Sequence, residues 1–140
     1  MKKFIGIASF LLLLVGFSCK KENTATPAEP VKEITGSWRI IKALRNGTDL
    51  TTRFDFSAFR IKFSDGNYTI ENPVPFIVNK PGTWKFDDPV YPFNISFRTG
   101  SDSATSAIQY PVVGGVRNLV VSFSPGCQSN IYEYTLQKEN

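Results

Sequence analysis

The chain has 140 residues with sixteen Lys and Arg against twelve Asp and Glu, a formal charge of +4, two cysteines and no histidine. The missing imidazole excludes His-assisted Ser or Cys nucleophiles, the usual imidazole metal sites and the commonest general base. The small, dispersed charge excludes a basic footprint for nucleic acid.

In chain order, Lys2 and Lys3 precede an apolar run, Phe4–Phe17, which leads into Gly16-Phe17-Ser18-Cys19. This reads as a lipoprotein signal peptide over 1–18, with a cut before Cys19 and a diacylglycerol on its thiol. The run falls short of the ~20 residues that span hydrocarbon, so it is not read as a transmembrane helix. Lipid on Cys19 is then the membrane contact, and it leaves Cys127 without an intramolecular partner even though export permits disulfides. Residues 19–33 are polar, with Pro27 and Pro30 and no periodicity, and read as a flexible tether. Such a tether spans roughly 20 Å, which would hold the domain near the membrane but not on it.

Residues 34–140 form one domain, large enough for a single core. From Gly36 onward apolar residues alternate with period two, the mark of half-buried strands. Eight strands are expected, at 36–44, 59–64, 67–72, 82–87, 93–98, 105–113, 116–124 and 130–138. Thr52–Ala58 is expected to hold one turn of helix capped by Thr51 or Thr52. Ser64-Asp65-Gly66-Asn67 and Gly114-Gly115 read as tight turns. The fold class is all-β: an eight-stranded antiparallel up-and-down barrel, with a two-sheet sandwich as the alternative. In a meander, the loops 45–58, 73–81, 99–104 and 125–129 gather at one end. The shorter turns and the tether gather at the other.

The alternation points Trp38, Phe59, Phe63, Tyr68, Trp84, Phe86, Phe93, Phe97, Tyr110, Phe123, Tyr132 and Tyr134 inward, with Val112 among the aliphatic residues. So many large rings predict a mostly packed interior, since eight strands enclose room for side chains or one small ligand. The tyrosine hydroxyls need partners, and Tyr110 and Tyr132 are candidates for a polar pocket mouth. Arg53 and Asp55, in the first long loop, are candidates for a polar ligand, with surface ion pairing as the simpler reading. Phe76, among Pro73, Pro75 and Pro81, is a candidate aromatic platform for a sugar or a cover for the core, and Tyr91 is a weaker one. Asp87-Asp88 reads as a turn rather than a calcium site, and Cys127 as a small buried loop residue.

Gly36-Ser37-Trp38-Arg39 opens the first strand, and Gly82-Thr83-Trp84-Lys85 repeats the pattern. Together with Arg45-Asn46-Gly47-Thr48-Asp49, Phe54-Asp55-Phe56-Ser57, Asp88-Pro89-Val90-Tyr91-Pro92-Phe93 and Phe123-Ser124-Pro125-Gly126-Cys127, this resembles lipocalin-like domains of unknown function in Bacteroidetes-type lipoproteins. The resemblance implies an eight-stranded barrel on a lipoprotein of the outer membrane, on its periplasmic or cell-surface face, with no known activity. The expectation is a non-catalytic, membrane-anchored binding or accessory module of the envelope, with no cofactor and no metal. A glycan, an amphiphile or an envelope protein is the expected partner. The alternative is a structural or assembly component of an envelope complex.

Overall fold

A computed structural model describes residues 28–140. The signal over 1–18 and Cys19 lie outside the described residues. Ten strands follow in order: β1 (Gly36–Arg45), β2 (Thr48–Asp49), β3 (Arg60–Ser64), β4 (Asn67–Glu71), β5 (Gly82–Phe86), β6 (Asn94–Thr99), β7 (Asp102–Gln109), β8 (Val112–Val113), β9 (Val116–Phe123) and β10 (Tyr132–Lys138). Every pairing is antiparallel. The path β1-β3-β4-β5-β6-β7-β9-β10 returns to β1, so eight strands close a barrel, and β2 and β8 are short additions to it. The expected fold class is therefore observed. Closure pairs each principal strand on both sides, though β4 and β5 by only two residue pairs, and so limits the unpaired edge that would template aggregation.

Two departures have clear local causes. The helical turn expected over Thr52–Ala58 is absent. Thr51 instead accepts the Ala43 amide on its hydroxyl at 3.1 Å and donates its own amide to Asp49 Oδ1 at 2.8 Å, which ties the segment back to β1. The loop expected at 99–104 is a tight turn at Gly100-Ser101, since β6 and β7 pair out to Thr99 and Asp102. The turns read from sequence do form. Asp65 and Gly66 both take positive φ, at 49° and 74°, and Gly114 and Gly115 do the same at 59° and 79°. That geometry suits a right-twisted hairpin.

The meander gives the barrel two distinct ends. The chain enters at Ile34, beside the turn at 65–66, the β5–β6 loop at 87–93 and the β8–β9 hairpin. We call this the entry end. The far end carries 46–59, 72–81, the turn at 100–101 and 124–131. The entry end is less bare than expected. The strand expected over 105–113 stops at Gln109, breaks at Tyr110-Pro111 and resumes as β8, so a small hairpin extends past the barrel rim.

Inside, Phe63, Tyr68 and Phe97 are almost completely buried, with ring centroids 6.4 Å apart for Phe63–Phe97 and 5.2 Å for Tyr68–Phe97. Trp84 meets Phe63 edge-on at 5.3 Å. The interior is packed, and each buried ring adds roughly 1.5–3 kcal/mol. At the entry end Ile34 is fully buried, and its carbonyl accepts the Trp38 indole N–H at 2.7 Å. Residues expected in the tether continue this plug: the Lys32 amide donates to Pro89 O at 2.8 Å, and Lys32 pairs with Glu29.

Two residues expected inside are not. Phe93 is 73% and Val112 56% exposed. Both lie just beyond the end of regular barrel pairing, where alternation no longer maps onto inside and outside. In β1 a register shift between Ile40 and Lys42 changes the phase, as an inserted residue does in a bulged strand. Ala43 is therefore buried where simple alternation would place Lys42 or Leu44.

Candidate functional site

At the far end the loop 72–81 folds back over the barrel mouth. Proline at 73, 75 and 81 keeps it out of the sheet, and its apolar residues Val74, Phe76, Ile77 and Val78 pack on the core. Phe76 sits centrally, with its ring 5.2 Å from Phe59, 5.7 Å from Phe123 and 5.9 Å from Tyr134, parallel to the last. The Tyr134 hydroxyl donates to Pro75 O at 2.6 Å and so latches the loop. Burial, reinforced by neighbouring Tyr132, pushes the Tyr134 hydroxyl up to about 12, so the latch keeps its proton across physiological pH. Phe76 is a plug, half-buried in an aromatic cluster, and not a free sugar platform. Phe76→Ala is expected to cost about 2 kcal/mol by urea denaturation, less than a fully buried Phe would. A cost under about 0.5 kcal/mol, the range of ordinary surface changes, would mean that the plug does no packing.

The other candidates do not converge. Tyr132 is at the far end, stacked on Phe123 at 5.7 Å, with the Arg45 guanidinium 5.8 Å from its ring centroid. Asp55 is exposed and accepts the Ser57 amide at 2.9 Å; hydrogen bonding from Ser57, its side chain first and then its amide, holds the Asp55 carboxyl below the usual range. Arg53 is exposed beside it. Tyr110 is at the opposite end, just past β7, with Arg117 5.7 Å from its ring centroid. Its hydroxyl is buried without a partner and is pushed upward by that burial. Tyr110 and Tyr132, both candidates for a polar pocket mouth, thus lie at opposite ends and do not share one.

Asp87 and Asp88 organise the β5–β6 loop. Asp87 Oδ1 accepts the amides of Asp88, Phe93 and Asn94, each at 3.0 Å, and Asp87 Oδ2 accepts the Asn94 side-chain amide at 2.8 Å. Asp88 Oδ1 accepts the amides of Val90 and Tyr91, each at 2.7 Å. The turn reading holds. The bonds from Asn94 above all draw the Asp87 carboxyl down to about 2. A depressed folded value means the stabilisation is present above the unfolded value near 3.9 and is lost as pH falls through about 2. Protection of the Phe93 and Asn94 amides, taken relative to the intrinsic exchange rate at each pH, is expected to fall between pH 4 and pH 2, and Asp87→Asn, which cannot titrate, is expected to abolish that step.

Cys127, expected to be buried, is exposed, with its sulfur 3.1 Å from Ser129 Oγ. The reason is the turn around it, where Ser124 Oγ bonds Cys127 O and the Asn130 amide donates to Cys127 O at 2.8 Å, turning the side chain outward. Ser129 draws the thiol below its usual value. Arg45 Nε to Asn130 Oδ1 (2.7 Å) and the Ile131 amide to Asn46 Oδ1 (2.8 Å) stitch this loop to the β1–β2 hairpin. The loop pinning was hidden from sequence reasoning, whereas Phe76 as a cover for the core was one of its two readings. The signal for the plug was an apolar run between prolines, without strand alternation.

A cleft of about 340 Å³ lies at the entry end between the incoming chain and β5, lined by Val31, Glu33, Trp84 and Phe86 among others. Among the described residues, no group of three His, Cys, Asp or Glu side chains stands in metal-binding range. No described helix is long and apolar enough to cross a membrane. A family model for a domain of unknown function, DUF5004, matches residues 15–137. No curated protein and no solved structure matches the chain.

Proposed function

The chain belongs to the family of the domain of unknown function DUF5004, and on that footing we propose that it is a non-catalytic lipoprotein of the cell envelope, anchored through lipid on Cys19. In this reading it is a lipocalin-like accessory module of the Bacteroidetes type, held at the periplasmic or cell-surface face of the outer membrane. The observation that carries the recognition half of the proposal is the filled interior. Ile34 and Trp38 plug one mouth, Phe76 plugs the other, and rings fill the space between. With the interior packed and both mouths covered, recognition in this reading falls to the outer surface, whether the partner is a glycan, an amphiphile or an envelope protein. The same filling supports a second reading, a structural or assembly component of an envelope complex.

The anchoring half rests on Lys2-Lys3, the run Phe4–Phe17 and Cys19. Full-length protein expressed with a labelled fatty acid is expected to incorporate the label and fractionate with membranes, and Cys19→Ser is expected to lose both. Unlabelled, soluble wild-type protein would sink the anchoring. Co-purification of one envelope protein with the lipidated chain would select the assembly reading. Saturable glycan or amphiphile binding by the lipidated chain would select the binding module.

A further inference from the structure

Exposed apolar side chains are not spread evenly over the barrel. Among the described residues, the large exposed hydrophobics are Val31, Phe54, Tyr91, Phe93, Val112, Val113, Val116 and Ile131. Only Phe54 and Ile131 belong to the far end. The rest rim the entry end, on the incoming chain, the β5–β6 loop and the tip of the β8–β9 hairpin. The hairpin tip, Pro111-Val112-Val113-Gly114-Gly115-Val116, carries no charge, and neither does Pro89-Val90-Tyr91-Pro92-Phe93. A rim of this kind marks an interaction surface on a protein that otherwise buries its apolar residues.

The rim is held in place. Asp87 and Asp88 accept five backbone amides of the β5–β6 loop, which fixes the backbone from which Tyr91 and Phe93 project. The carboxylates thus face their own loop amides. Arg117, opposite Val112 in the hairpin, supplies a cation at the same end; Lys32 there is paired with Glu29, and Glu33 and Asp65 line the neighbouring cleft.

We infer, resting on the lipid-anchored reading above, that this rim seats directly on the bilayer, with Tyr91, Phe93, Val112, Val113 and Val116 inserted at the interface and the far end held outward. The length of the tether selects a lipid surface over other occupants. The incoming chain is fixed at the barrel end from Lys32, whose amide bonds Pro89 O. That leaves thirteen residue steps from Cys19 to Lys32. Thirteen steps span about 18–22 Å on average and about 45 Å at full stretch. A folded domain of about 100 residues has a radius of gyration near 13 Å, so it is more than about 26 Å across. The average gap under the anchored barrel is too narrow for such a partner, whereas the bilayer is always within reach. The domain then stands on the membrane rather than near it, contrary to the spacing expected from a fifteen-residue tether.

The test uses the full lipidated chain in phosphatidylcholine–phosphatidylglycerol vesicles. An environment-sensitive dye is placed at V113C or, independently, at Y91C, each with C127S; the native Cys127 at the far end is the reference. The expected result is a blue-shifted dye at 113 and at 91 that nitroxide lipids quench and aqueous iodide does not, with the opposite behaviour at 127. Membrane-bound protein in which 113 and 91 stay as wet as 127 would overturn the seating and leave the anchor standing. Shielding from iodide at 113 and 91 that nitroxide lipids fail to quench would also overturn it, by pointing to contact with protein. Chain found soluble with Cys19 unmodified would remove the anchor and the seating together.

Discussion

Gly82→Ala is expected to cost about 3 kcal/mol or more, at the top of the range for overpacking. A Cβ built on Gly82 lies 2.0 Å from the Arg98 carbonyl oxygen and 3.0 Å from both the Arg98 carbonyl carbon and the Tyr68 hydroxyl oxygen. Two of these three atoms are backbone and cannot swing aside. Tyr68 is also pinned, with its hydroxyl 2.7 Å from Thr99 Oγ1. The site lies on the thinnest seam of the barrel, where β4 and β5 share only the pairs Asn67–Thr83 and Tyr68–Gly82. Few hydrogen bonds there resist a forced displacement. Gly100→Ala is the control. Nothing lies within 4 Å of its added Cβ, and only its φ of 58° opposes the change, at roughly 1–2 kcal/mol. Urea midpoints of the two variants decide the matter. Equal losses would mean that the close approach of β5 to β6 relaxes freely.

Trp38→Ala is expected to remove about 3–5 kcal/mol, the range for deleting a buried aromatic side chain. The indole is 2% exposed and bonds the carbonyl of fully buried Ile34, so the change opens a cavity and unlatches the entry-end plug together. Trp38→Phe separates the two effects. It keeps most of the packing and loses the hydrogen bond, about 1 kcal/mol or somewhat more if the carbonyl stays buried. Against a total stability of about 5–15 kcal/mol for a domain of this kind, the alanine variant is marginal. Limited proteolysis is expected to cut it within residues 28–35 well before wild type. An intact segment in a destabilised Trp38→Ala would show that Ile34 is held by burial alone.

The barrel was legible because its principal strands are short and their alternation is clean. Phe59-Arg60-Ile61-Lys62-Phe63 puts Phe59, Ile61 and Phe63 inside, all essentially fully buried, and Asp65-Gly66 supplies both positive-φ residues of its turn. Period two reports a face only while the strand remains paired. Phe93 and Val112 continue the alternation past the rim, and it there reports nothing. The β1 register shift depends on contacts from residues far along the chain, which no local pattern encodes, whereas the apolar run between prolines did mark Phe76 as a cover for the core. Of the proposed contact residues, Phe76, Tyr132, Arg53 and Asp55 did fall at one end. Tyr110 did not, because parity along a strand tells inside from outside but never one mouth from the other. Cys127 departs from expectation because its exposure is decided by turn hydrogen bonds, not by its small, apolar character.

The pairing of β1 with β10 sets the order in which the molecule can fold. Trp38 meets Lys138 and Arg45 meets Tyr132, and Ser37 donates to Glu139 at 2.9 Å across 102 residues of chain. The first strand formed is completed only by the last. Contacts of such separation slow folding toward the millisecond-to-second range. A chain that emerges from its N-terminus would therefore hold β1 and β9 as open edges until Tyr132–Lys138 followed. The final seven-residue strand is the step that converts a curled, adhesive sheet into a sealed barrel.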